Sequence, residues 1–214
     1  MKIVGIDLSG PRNIADTCLV SFEARGDEIH LEDVREEAND DQILEAISSL
    51  GKRERINIGV DAPLSYNSNG GDRPSDKELR RLVQSHGGGV GIMPPTMIRM
   101  VYLTLRGMAL TRMLERLKPQ YDLNIVEVHP GACMLLRGAK FEDVRKFKRE
   151  PSARGHLLDW LENMGVKGVL REEAITDHYV AACAAALAAW QWSLGKSVWC
   201  YIANPPHHPY DFAC

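Results

Sequence analysis

A chain of 214 residues, 44% hydrophobic and 26% charged, has the material for a buried core, which excludes a wholly disordered protein. Its formal charge of -3 excludes binding to nucleic acid by bulk charge alone. The charge is uneven: residues 1–60 hold 7 Lys and Arg against 13 Asp and Glu, and the remainder 19 against 16, so a basic surface has to come from the later segments.

The chain opens on an apolar, β-rich run, Lys2–Leu8, broken by Ser9-Gly10-Pro11. Strands are predicted at Ala15–Glu23 and Ile29–Val34, with Arg25-Gly26-Asp27 as the hairpin turn between them. Asn39 or Asp40 caps a helix through Leu50, with Ile43, Leu44, Ile47 and Leu50 on one face and Gly51 closing it. Ile56–Asp61 follows as a buried strand. This βββαβ order is distinctive, because the strand after the helix returns parallel to the first by a right-handed crossover.

Residues 63–120 hold no strand pattern. Ser75-Asp76-Lys77-Glu78 reads as a capping box for a helix through Gln84. A Gly/Pro-rich loop, His86–Pro95, and a helix over about Met97–Leu117 come next. Asp122–Val128 is a strand and Pro130–Leu136 a short helix. Ser152–Met164 and the Ala-rich Thr176–Leu194 are helices closed by Gly165 and Gly195. A last strand is expected at Ser197–Ala203, and an irregular tail at Pro205–Cys214. The whole reads as one α/β domain over residues 1–214 with a helical insertion at about 63–120.

The five cysteines, at 18, 133, 183, 200 and 214, form no CxxC pair, which points to free thiols and away from zinc. The start on a strand predicts no signal peptide. The longest apolar run, Tyr179–Trp190, is too short and too Ala-rich to cross a membrane. The expectation is a cytoplasmic protein with no membrane partner; nothing fixes its oligomeric state.

Three apolar runs end in an acid: Val4-Gly5-Ile6-Asp7, Ile58-Gly59-Val60-Asp61 and Ile125-Val126-Glu127. If these strands run parallel, their acids gather at one end of the sheet, where open α/β sheets bind ligands. Asp177, opening the Ala-rich helix, is a fourth. Clustered carboxylates repel unless protonated or metal-bound, and hard oxygen ligands suit Mg²⁺ or Mn²⁺. Such a cluster can hold two ions and hydrolyse phosphodiesters. Each acid also has a plainer role: Asp7 and Asp61 as turn caps, and Asp177 as an acid at a helix start.

GIDLSGP, GVDAPLS, Arg73-Pro74-Ser75-Asp76 with Leu79-Arg80, Glu127-Val128-His129-Pro130 and Thr176-Asp177-His178 on an Ala-rich helix together resemble a family of uncharacterised proteins described as predicted nucleases of ribonuclease H-like fold. The resemblance covers most of the chain. It implies a ribonuclease H-like mixed sheet, nucleic acid as substrate, and Asp7, Asp61, Glu127 and Asp177 as ligands of Mg²⁺ or Mn²⁺. Glu127 departs from the simplest ribonuclease H enzymes, which take an acid from the first helix, where only Glu45 stands here. The resolvase-like variant is the better comparison.

His129 and His178 neighbour candidate acids and can serve as proton carriers, with His129 the stronger catalytic candidate. The alternative for His129 is a backbone bond before Pro130. Arg73 and Arg80, inside the family-like motif, are candidates for substrate phosphate or carboxylate. Arg99, Arg106, Arg112, Arg116 and Lys118, and the denser Arg145, Lys146, Lys148 and Arg149, can touch a phosphate backbone or form solvated faces. His86-Gly87-Gly88-Gly89 lacks the GK[ST] of a phosphate loop, and His207-His208 is a pair alone.

The leading expectation is a metal-dependent nuclease. One alternative is a non-catalytic binding module of the same fold, whose acids make structural hydrogen bonds. The other is an actin-like phosphotransferase, since GIDLSG looks like a first phosphate loop, but the chain has room for only one of the two domains such enzymes use.

Overall fold

A computed structural model describes residues 1–171 and 175–214. The elements are β1 (Lys2–Asp7), a 3-10 turn (Ile14–Asp16), β2 (Cys18–Arg25), β3 (Glu28–Glu36), α1 (Asp40–Ser49), β4 (Arg55–Asp61), α2 (Pro74–Ser85), α3 (Val101–Glu115), β5 (Asp122–Val128), α4 (Pro130–Leu136), α5 (Phe141–Lys146), α6 (Pro151–Asn163), β6 (Val166–Lys167), α7 (Asp177–Ser193), β7 (Cys200–Tyr201) and β8 (Phe212–Ala213). The protein is thus a mixed α/β structure. Its strands form one sheet in the order β6-β3-β2-β1-β4-β5-β8-β7. β1, β2 and β3 run antiparallel, while β4 and β5 lie parallel to β1.

Strand alternation divides the core. Ile3, Val126 and Val128 pack on one face with α4, α6 and α7, whereas Val4, Ile6, Ile58 and Val60 pack on the other with α1 and α3. The central contact is α7 against β1 and β4. Gly5 and Gly59 are register partners. A Cβ on Gly5 would stand 2.0 Å from the Ala182 carbonyl oxygen, and one on Gly59 2.4 Å from that of Ala185. Glycine in the strands and alanine in the helix therefore let two backbones meet. Gly5→Ala is expected to force the helix outward, an overpacking cost of ~1–3 kcal/mol or more. Calorimetry should find Tm lower by about 5 °C or more.

Several boundaries differ from those the sequence predicts. β2 starts at Cys18 rather than Ala15, because Ile14–Asp16 closes a 3-10 turn. α2 starts at Pro74, where the carboxylate of Asp76 accepts the Arg73 backbone N–H at 2.8 Å; the Ser75 hydroxyl is buried without a partner, so the expected box does not form. α3 starts at Val101, not Met97. α5 falls in a segment read only as a charge run. The last predicted strand shrinks to Cys200–Tyr201, and the tail expected to be irregular supplies β8, parallel to β5 with Phe212 opposite Glu127. Residues 63–120 contain α2 and α3 and no strand. Among the described residues, no helix is long and apolar enough to cross a membrane.

Candidate functional site

β1 and β4 are parallel and in register, so Asp7 and Asp61 are direct partners at their C-terminal ends. Both follow a glycine by two residues, which puts them on the face that α7 covers. They line a cleft of about 730 Å³, together with Asp177 and His178 from the first turn of α7. Thr176 caps that helix by accepting the Tyr179 N–H at 3.1 Å, which fixes where Asp177 and His178 stand.

His178 Nδ1 lies 2.7 Å from Asp7 Oδ2. Its Nε2 lies 3.6 Å from Asp16 and 3.9 Å from Asp177. The hydrogen bond to Asp7 raises the pKa of the imidazole, so His178 favours the cationic form. Burial raises both aspartates, and the charge of Asp7 adds to the rise at Asp61. At Asp7, His178 opposes that rise. Of the two, Asp61 is therefore the acid that holds a proton more readily. The sequence marks His178 only as a neighbour of candidate acids; its contact with Asp7 depends on the close seating of α7.

Glu127 takes another role. On β5 its register partner is Val60, so it stands one residue out of step with Asp61. Arg73 donates to both of its oxygens, Nη1 to Oε2 at 2.8 Å and Nη2 to Oε1 at 2.5 Å. The Leu64 N–H donates to Oε2 at 2.9 Å. Arg73 also forks onto Asp76, with Nη2 at 2.7 Å from Oδ1, and its guanidinium lies 5.5 Å from the centre of the Phe212 ring. All three charged residues are buried. Glu127 and Arg73, expected as metal ligand and substrate anchor, thus neutralise each other beside the cleft. Arg80 is likewise held by Asp72, at 2.8 and 2.7 Å, and by the Ile92 carbonyl.

His129 caps α4: its Nδ1 accepts the Ala132 N–H at 3.1 Å, and burial lowers its pKa to about 4. A neutral imidazole bonded to backbone is the plainer of its two sequence readings. Arg106 is buried and ties the loop after β1 to α1, bonding Asp40, Thr17 and the carbonyls of Ser9 and Ala38. His208 is half of a weak sequence pair; its Nδ1 lies 3.2 Å from the Ser65 hydroxyl, which also accepts from Arg73. Lys148, by contrast, lines the cleft, and its charge lowers the pKa of both Asp7 and Asp61. In the sequence it is hidden inside a run of like charges.

Among the described residues, no three His, Cys, Asp or Glu side chains converge as a ready metal cage, so the expected four-carboxylate cluster is not assembled. The two that do stand together, Asp7 and Asp61, offer hard oxygens. That donor set fits Mg²⁺, which commonly takes one or two carboxylates and completes its shell with water and substrate phosphate. Burial, and at Asp61 the neighbouring charge of Asp7, raises the pKa of both carboxyls, which a bound cation would offset.

A family model described as "Protein of unknown function (DUF429)" matches residues 5–207. No curated protein and no solved structure matches the chain.

Proposed function

The chain belongs to this family of unknown function, and from that premise we propose that it is a metal-dependent nuclease of ribonuclease H-like fold, hydrolysing phosphodiester bonds with Mg²⁺ or Mn²⁺ held by Asp7 and Asp61. The observation that carries the reading is the in-register pair of acids on adjacent parallel strands, at the sheet edge where α/β folds place ligands. The strand order β3-β2-β1-β4-β5, with three antiparallel strands followed by two parallel ones, supports the fold assignment.

When bound, the ion supplies Lewis-acid stabilisation of the charge that develops on the phosphoryl oxygens. The chain's own groups do the rest. His178 orients Asp7 and opposes the effect of burial on its carboxyl. Asp177 adds negative charge to the α7 wall of the cleft and is the third candidate ligand. Lys148 faces the carboxylates and is placed to hold a phosphate oxygen. Arg73 and Glu127 act indirectly, by fixing β5 and α2 beside β4.

The test is cleavage of labelled single-stranded, duplex, hybrid and junction substrates with Mg²⁺, Mn²⁺ or EDTA. Cleavage that needs the metal, and that falls by ~100-fold or more in Asp7→Asn, is the expected result. Equal activity of wild type and Asp7→Asn would sink the reading, as would activity untouched by EDTA.

A further inference from the structure

Resting on the nuclease reading, we infer that the substrate is single-stranded nucleic acid, led to Asp7 and Asp61 along a rim formed by Arg12, Arg99, Tyr102 and Lys148. All four residues line the same cleft as the two acids. Arg12 comes from the loop after β1, Arg99 and Tyr102 from the entry to α3, and Lys148 from the segment after α5. The cations therefore approach from the helical layers of both sheet faces and bracket the carboxylate floor.

These three cations differ from the other two, Arg73 and Arg145, that line the cleft. Arg73, Arg80, Arg106 and Arg145 each hold a carboxylate. Among the described residues, Arg12, Arg99 and Lys148 form no ion pair, and all three side chains are exposed. In a chain of net charge -3, free cations around an acidic floor make a local match for a polyanion whose phosphate the floor receives.

Tyr102 supplies the choice of strand form. It is 64% exposed; Leu105, three residues on along α3 and 59% exposed, and Ile98, 91% exposed in the turn before the helix, extend the apolar surface beside it. An exposed aromatic beside phosphate-binding cations is the stacking platform of single-strand binders, since only an unpaired base can lay its face on the ring. The floor is recessed: the Asp7 side chain is 14% exposed. A flexible strand can bend a phosphodiester down into such a cleft, whereas a duplex holds its phosphates on a stiff cylinder.

Fluorescence anisotropy with a short labelled oligothymidylate, in EDTA so that binding is read without cleavage, tests the inference. The single strand should bind more tightly than a duplex of the same length. Tyr102→Ala should weaken binding by about 5- to 100-fold and Tyr102→Phe should restore it. Because Tyr102 is exposed, neither change threatens the core. The slope of log Kd against log salt should be about 2, and should fall by about 0.7 in each of Arg12→Ala, Arg99→Ala and Lys148→Ala. Tighter binding of duplex, no binding of either, or a Tyr102→Ala protein that binds like wild type would overturn the inference. Metal-dependent duplex cleavage that survives Tyr102→Ala would overturn it and leave the nuclease reading standing. Tyr102-dependent single-strand binding without cleavage by any metal would overturn the nuclease reading and leave the strand path standing.

Discussion

Asp61→Asn is expected to make the protein more stable at neutral pH while removing its metal-dependent cleavage. In the wild type, burial and the neighbouring charge of Asp7 hold the Asp61 carboxyl well above its ordinary value of 3.8. A group whose folded pKa is raised gives stability that is complete below the unfolded pKa and is lost as pH rises through the folded one. As pH rises above 3.8 the wild type progressively loses that contribution, and Asn, which does not ionise, has nothing to lose. The advantage of the variant should thus be absent below about pH 3.8, grow as pH rises through the folded value, and then level off. A rise in Tm of about 2–4 °C at pH 7 corresponds to ~1 kcal/mol in a chain of this size. Mg²⁺ should close the gap from the other side. Bound to the folded wild type alone, it adds about 2.7 kcal/mol at a hundredfold excess over Kd, and it should leave the variant unchanged. Thermal melts across pH, with and without Mg²⁺, read all of these effects. A variant that is less stable than wild type at pH 7 would mean that the pair is a structural hydrogen-bonding unit instead.

Arg73→Met is expected to be the most damaging single change to stability. It leaves Glu127 and Asp76 buried without their shared cation, and breaking a buried ion pair from one side costs ~3–5 kcal/mol. In urea the unfolding midpoint should drop sharply, and Tm by about 10 °C. Adding Glu127→Gln to that variant should recover part of the loss, because one of the stranded charges is gone; the coupling seen in the double-mutant cycle measures the pair itself. The alternative role for Arg73, as a direct phosphate ligand, predicts the opposite pattern: normal melting with weakened substrate binding.

The legible part of this protein is what one segment states by itself. Val4-Gly5-Ile6-Asp7 and Ile58-Gly59-Val60-Asp61 announce strands ending in acids, and the βββαβ order makes them parallel neighbours. The illegible part depends on pairs far apart in the chain. Glu127 also ends an apolar run, and nothing near it in sequence reveals that Arg73, 54 residues away, occupies both its oxygens. His178 reads only as a weak proton-carrier candidate beside Asp177, and its partner Asp7 shows only once α7 is seated on Gly5 and Gly59. Lys148 shares its charge run with Arg145 and Lys146, which pair with Glu142, and only position separates it from them. β8 has two residues, too few for any period to register, and acquires its strand geometry from β5 and β7.

The seat of α7 also decides which parts of the site are free to move. Where a helix backbone rests directly on two strand backbones, a slide of one residue, about 1.5 Å, would drive an alanine methyl into the sheet. Asp177 and His178 ride on that helix, and Asp7 and Asp61 on those strands, so the floor of the cleft behaves as one rigid piece. Any closure around a bound strand therefore has to come from the rim, from the loop that carries Arg12 and the turn that leads into Tyr102. In hydrogen exchange the α7 amides should be among the last to open, while the amides of residues 10–13 and 96–100 exchange early and slow when an oligonucleotide is bound.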